Sequence, residues 1–127
     1  MSWLEILKIV DDEGKNLVIS DVDAFTTILR ARLVELRNYE RGRKTNIVVK
    51  ETYLGADRLK LVVSIKPKSE KLRKREYIEI TLKEDDTGDY YFERVEGPNI
   101  FLFRHSVSDE YALMDMIISA VKKLVMQ

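Results

Sequence analysis

Between residues 46 and 104 the chain runs through one alternation after another, broken only by short clusters of turn-forming residues. In 58–66, Leu59, Leu61, Val63 and Ile65 interleave with Lys60, Val62, Ser64 and Lys66. A period of two sends alternate side chains to opposite faces of a strand, so this pattern predicts a half-buried β-strand. The same reading predicts strands at 46–54, 76–83 and 90–95, the one at 76–83 burying Ile78, Ile80 and Leu82, and 100–104 reads as a short apolar strand. Gly55-Ala56-Asp57, the cluster from Asp85 to Asp89, and Gly97-Pro98-Asn99 supply turns. Pro67 stops the strand at 58–66, and a basic connection, 68–75, follows it. Connections this short join antiparallel neighbours, because a parallel crossover needs a dozen residues or more.

Helical periodicity flanks the strands. At 100° per residue, Val22, Phe25, Ile28, Leu29, Leu33, Leu36 and Tyr39 fall within an arc of about 140°, which predicts a core-facing helix over 21–41. Ser20 stands at its cap, with Asp23 three residues on. Gly42 ends it, and Arg37 and Arg41 suit the negative end of its dipole. A second helix is predicted over 107–126, with Ser106 or Ser108 as cap and Asp109 and Glu110 in the first turn. Its apolar residues span about 220° of the circumference, far wider than the ~100° stripe of a surface helix. Leu113, Ile117, Val121 and Leu124 would face the sheet, while Met114, Ile118 and Val125 continue round one flank and Met116 extends the other. Met114, Ile118 and Val125 are therefore the expected contact of a homodimer.

Residues 3–10 read two ways. Trp3, Ile6, Leu7 and Val10 would stripe a helix, whereas 4–10 and 16–20 would form a hairpin around Asp11 to Lys15. Three acids at a helix C-terminus oppose the macrodipole, which favours the hairpin. The expected architecture is α+β: one domain over 1–127, an antiparallel meander of four to five strands with two main helices packed on one face, and a possible N-terminal hairpin or short helix.

Composition narrows the function. The chain of 127 residues has no cysteine, which excludes disulfides, thiolate metal sites and cysteine nucleophiles, and His105 is its only histidine. No metal and no cofactor is expected, and no small-molecule substrate is identifiable. The run from Asp85 to Asp89 lacks the spacing of a calcium loop, because Gly88 falls at the third ligand place. Gly42-Arg43-Lys44-Thr45 lacks the upstream glycine of a phosphate loop. His105, with Ser106 and Ser108 nearby, sits in no nucleophile motif. An enzyme is not expected. No apolar run approaches the ~20 residues of a membrane span, and the first residues lack a basic signal region. A cytoplasmic location, with no membrane partner, is the expectation.

Net charge is zero, from 22 basic and 22 acidic residues, yet the charges are segregated. Residues 1–29 carry −4 and residues 76–127 carry −6. Residues 30–75, with 15 basic against 5 acidic side chains, carry +10. Charged residues form 35% of the chain and glutamine occurs once, a profile resembling that of hyperthermophile proteins. The basic segment is the one signal above background. Arg37 and Arg41 close the first helix, Arg43 and Lys44 follow it, and Lys68, Lys71, Arg73, Lys74 and Arg75 lie in the connection. Tyr39, Tyr53 and Tyr77 are interleaved as stacking surfaces. The expectation is a small nucleic-acid-binding module, for DNA or RNA, without sequence preference. The alternative is a homo-oligomeric interaction protein whose basic middle pairs with its acidic flanks.

Overall fold

In the computed structural model, described for residues 17–67, 75–103, 106–107 and 109–126, the alternating segments pair in register as one antiparallel sheet. Its strands are β1 (Val18–Ile19), β2 (Thr45–Tyr53), β3 (Arg58–Pro67), β4 (Glu76–Glu84), β5 (Tyr90–Gly97) and β6 (Ile100–Phe103). From β2 to β6 they follow one another as a meander, in the spatial order 2-3-4-5-6. The two-residue β1 pairs Val18 with Tyr91 and lies beside the first half of β5, while β6 lies beside its second half. The sheet therefore has six strands: the five of the meander and β1, which falls within 16–20, one arm of the expected N-terminal hairpin. The N-terminal segment 3–10 lies outside the described residues.

The period-two reading of the strands holds in detail. Leu59, Leu61, Val63 and Ile65 of β3 and Ile78, Ile80 and Leu82 of β4 are all buried. They share a row with Val49 of β2 and with Phe92 and Val95 of β5, and this row is the floor of the core. A bulge between Thr81 and Leu82 shifts the β4–β5 register. Such an insertion bends the strand and raises its twist, and the sheet is strongly curled.

Helices α1 (Val22–Val34) and α3 (Glu110–Val125) pack against one face of the sheet, with the short α2 (Glu40–Arg43) between α1 and β2. Both main helices begin at an aspartate, where the serines were expected. Asp21 Oδ1 accepts from the Ala24 N–H at 3.0 Å, and Asp109 Oδ1 accepts from the Ala112 N–H at 2.7 Å. Asp21 is the last residue with extended dihedrals before the helix, so Ser20 sits one position too early to cap it. The Ser20 N–H donates to Glu110 Oε1 at 3.1 Å and ties the two helix starts together.

The first helix does not run unbroken to residue 41. After Val34 it tightens into a 3-10 turn, Glu35–Asn38, and Tyr39 is extended (φ −94°, ψ 144°). The chain then turns back on itself through α2, and Gly42 lies against the main chain of Leu36, where a β-carbon would stand 2.5 Å from the Leu36 carbonyl carbon. This fold-back leads straight into β2, which a continuous helix would overshoot. The buried face is accordingly Phe25, Thr26, Leu29, Leu33 and Leu36, and both Ile28 and Tyr39 are exposed.

The wide apolar face of α3 is used within the chain. Leu113, Met114, Ile117, Ala120, Val121 and Val125 are buried, and Ile118 and Leu124 pack against them. Met114 and Val125, expected at a dimer contact, are thus core residues. The curled sheet covers one side of α3 and α1 covers another, so two of the three expected interface side chains are enclosed without a second copy. Among the described residues no helix is long and apolar enough to cross a membrane.

Candidate nucleic-acid interface

Strand register decides which of the basic residues meet. Thr45 pairs with Pro67 at one end of the sheet. Lys44 precedes the first of these and residue 68 follows the second, so the basic connection leaves the sheet one strand spacing, about 5 Å, from the end of α2. It returns at Arg75, next to Glu76, which pairs with Ile65. The end of α2 and the two residues that bracket the connection, Pro67 and Arg75, therefore share one corner of the molecule. Lys68, Lys71, Arg73 and Lys74 themselves lie outside the described residues.

The described members of this corner have distinct surroundings. Arg37 and Thr45 line one groove between α1 and the free edge of β2. In that groove Arg30 Nη2 donates to the Val49 carbonyl at 3.1 Å. Arg41 Nη1 donates to the Met126 carbonyl at 2.6 Å, closing the C-terminal end of α3, where a cation also suits the helix dipole. Arg43 and Lys44 are exposed. Arg75 Nη1 donates to Ser64 Oγ at 2.7 Å, which holds its guanidinium over the sheet face opposite the helices.

The tyrosines separate. Tyr77 pairs with Ser64 and is half exposed beside Arg75. Tyr39 is at the corner, but Lys122 Nζ lies 4.8 Å from its ring centroid and donates to its hydroxyl at 3.1 Å. That contact brings Lys122, absent from the sequence-derived set, to the corner. Tyr53 pairs with Leu59 at the far end of β2, about 27 Å along the strand from Thr45, and takes no part. Lys66, one of the cations of the basic middle, pairs with Asn46 and stands near the corner.

Ion pairing tests the alternative assignment of the positive charge. Among the described residues, Arg32 pairs with Asp115, Arg58 with Glu93 at 3.6 Å, Lys60 with Glu79 at 3.3 Å and Arg94 with Glu96 at 3.5 Å. The first three join the basic middle to the acidic C-terminal part. None involves Arg37, Arg41, Arg43 or Arg75. Neutralisation by the acidic flank thus occurs on α1 and on the open sheet face, away from the corner.

The other candidates resolve locally. Asp85 Oδ1 accepts from the Thr87 N–H at 2.9 Å, the Asp89 N–H at 3.0 Å and the Thr87 hydroxyl at 2.6 Å. The Thr87 hydroxyl, aided by these backbone N–H groups, holds the Asp85 carboxyl below the usual carboxylate range. Gly88, at φ 89°, supplies the left-handed residue that this turn needs. The loop is a hairpin turn organised around its own carboxylate. Ser106 Oγ accepts from the Phe103 N–H at 3.2 Å, while His105 and Ser108 lie outside the described residues. Among the described residues no three histidine, aspartate or glutamate side chains converge as metal ligands would. Comparison with known protein families, characterised proteins and solved structures finds no significant match to this chain.

Proposed function

We propose that the chain is a small nucleic-acid-binding module that grips the phosphate backbone at the basic corner, with little preference for base sequence. The observation that carries this reading is the strand register, Thr45 with Pro67 and Ile65 with Glu76, which gathers the end of α2, Pro67 and Arg75 into one place. The absence of acidic partners for Arg37, Arg43 and Arg75 among the described residues leaves their charge available to phosphate. Arginine forks suit phosphate oxygens, and contacts of this kind position a nucleic acid without reading its bases.

Substituting Lys71, Arg73, Lys74 and Arg75 together by Ala tests the assignment. Four lost phosphate contacts lower affinity for unrelated oligonucleotides alike and reduce the slope of log K against log salt by roughly three. Arg32→Ala, which removes a cation already paired with Asp115, is the control and leaves binding nearly unchanged. No mobility shift with the native protein at about 50 mM salt, where such contacts are strong, refutes the function. Equal binding by the fourfold variant refutes the site.

A further inference from the structure

The sheet face turned away from the helices carries aromatic rings as well as charge. Register places Phe101 opposite Glu96 and Phe103 opposite Arg94, both on this open face. Their rings meet edge to face, with centroids 4.8 Å apart and planes at 84°. Phe101 is 60% exposed, Phe103 53% and Tyr77 50%. Tyr77 lies two strands over and one pleat along from Phe101, about 12 Å away, on the side of the basic corner. Glu79 and Glu96 lie between them, and Ser64 and Thr81 beside this stretch of the face are nearly buried.

The charge of this face restricts what can cover it. Its carboxylates Glu79, Glu93 and Glu96 are each matched by a cation in the ion pairs above. Lys50, Lys66 and Lys83 make no ion pair among the described residues, and Arg75 adds its guanidinium through Ser64. The described face is therefore net positive. A second copy docked face to face would set these cations against their equivalents, an arrangement that like charge disfavours. A polyanion is the complementary occupant. A duplex would offer phosphates while keeping its bases stacked inside. A single strand offers phosphates and exposed base faces together, which is the combination that cations interspersed with rings can hold.

We infer that the open sheet face is a binding track for single-stranded nucleic acid, in which Phe101, Phe103 and Tyr77 stack on bases while Lys50, Lys66 and Lys83 accompany the backbone leading to the basic corner. The inference rests on the function proposed above and names its substrate class. The rings are bare, since the sequence provides Ile100 and Leu102 to pack inward and leaves the two phenylalanines outside.

Fluorescence anisotropy with a labelled oligothymidylate, an oligouridylate and a duplex of equal phosphate number provides the test. The single strands bind more tightly than the duplex. The double variant Phe101→Ala, Phe103→Ala loses single-strand affinity by roughly 5- to 100-fold, the effect of losing a stacked base, and keeps its duplex affinity and salt slope. Equal affinity for single strand and duplex, with no loss in the double variant, overturns the track while leaving the basic corner in place. Loss of binding only in the fourfold basic variant has the same meaning. Phe103→Trp gives a second readout that retains the ring: its fluorescence is quenched by oligothymidylate if a base stacks there, and an unchanged spectrum at saturating binding overturns the assignment. Absence of any binding removes the function and the track together.

Discussion

Gly42→Ala isolates the fold-back that builds the basic corner. The added β-carbon would overlap the Leu36 carbonyl oxygen and stand 2.5 Å from its carbon and 3.2 Å from the Arg37 nitrogen. These are backbone atoms, so no side-chain rotation relieves the contact and α2 must move away from the 3-10 turn. Overpacking of this kind costs typically ~1–3 kcal/mol, and a main-chain obstacle belongs at the upper end. Alanine recovers about 1 kcal/mol through its better helix propensity. The net loss is about 2 kcal/mol, which for a chain of this size lowers Tm by roughly 6–10 °C. Urea and thermal unfolding followed by circular dichroism measure it directly. The displacement also shifts Arg43 and Lys44, so under the proposed function nucleic-acid binding weakens even where the variant is fully folded. A Gly42→Ala protein as stable as the native one, or more stable, would refute the close approach and leave an ordinary helical glycine in its place.

Three further outcomes follow from burial and from the Asp85 turn. Met114→Ala, at a side chain only 4% exposed, costs about 2–5 kcal/mol by leaving a cavity. Its effect on Tm is independent of protein concentration; a concentration-dependent loss seen by sedimentation would return Met114 to a subunit contact. The Asp85 pKa is depressed in the folded chain, so the turn adds stability above the ordinary aspartate value, about pH 4, that is lost as pH falls through the folded value. Thr87→Ala removes the largest cause and raises the Asp85 pKa in a carboxyl NMR titration, and an unmoved pKa would show that the hydroxyl does not hold the carboxylate.

Much of the fold is legible in the residues because the relevant signals are local. Strand alternation depends only on the pleat, and it correctly assigned the buried rows of β3 and β4. Turn residues fixed where the meander reverses, within a residue or two. The end of the first helix was less legible. Its apolar spacing continues to Tyr39, yet the break at that residue depends on Gly42 finding the Leu36 carbonyl, a contact that no periodicity encodes. The basic segment was visible as composition. The meeting of the end of α2 with Pro67 was not, since that needs Thr45 and Pro67 to be paired.

The division between chain and fold is clearest where one residue type has two fates. The sequence by itself determined that residues 107–126 form a helix with an unusually wide apolar face, because side-chain spacing along a helix is set by its geometry. Only the tertiary structure decided that Met114 and Val125 would be enclosed by the chain's own elements. Likewise, the sequence determined that 100–103 is apolar on both faces of a strand. Only the pairing of β6 with β5, and the packing of both helices on a single face, left Phe101 and Phe103 uncovered. The reason is physical: periodicity records which side chains share a face, whereas burial depends on which distant element arrives to cover that face.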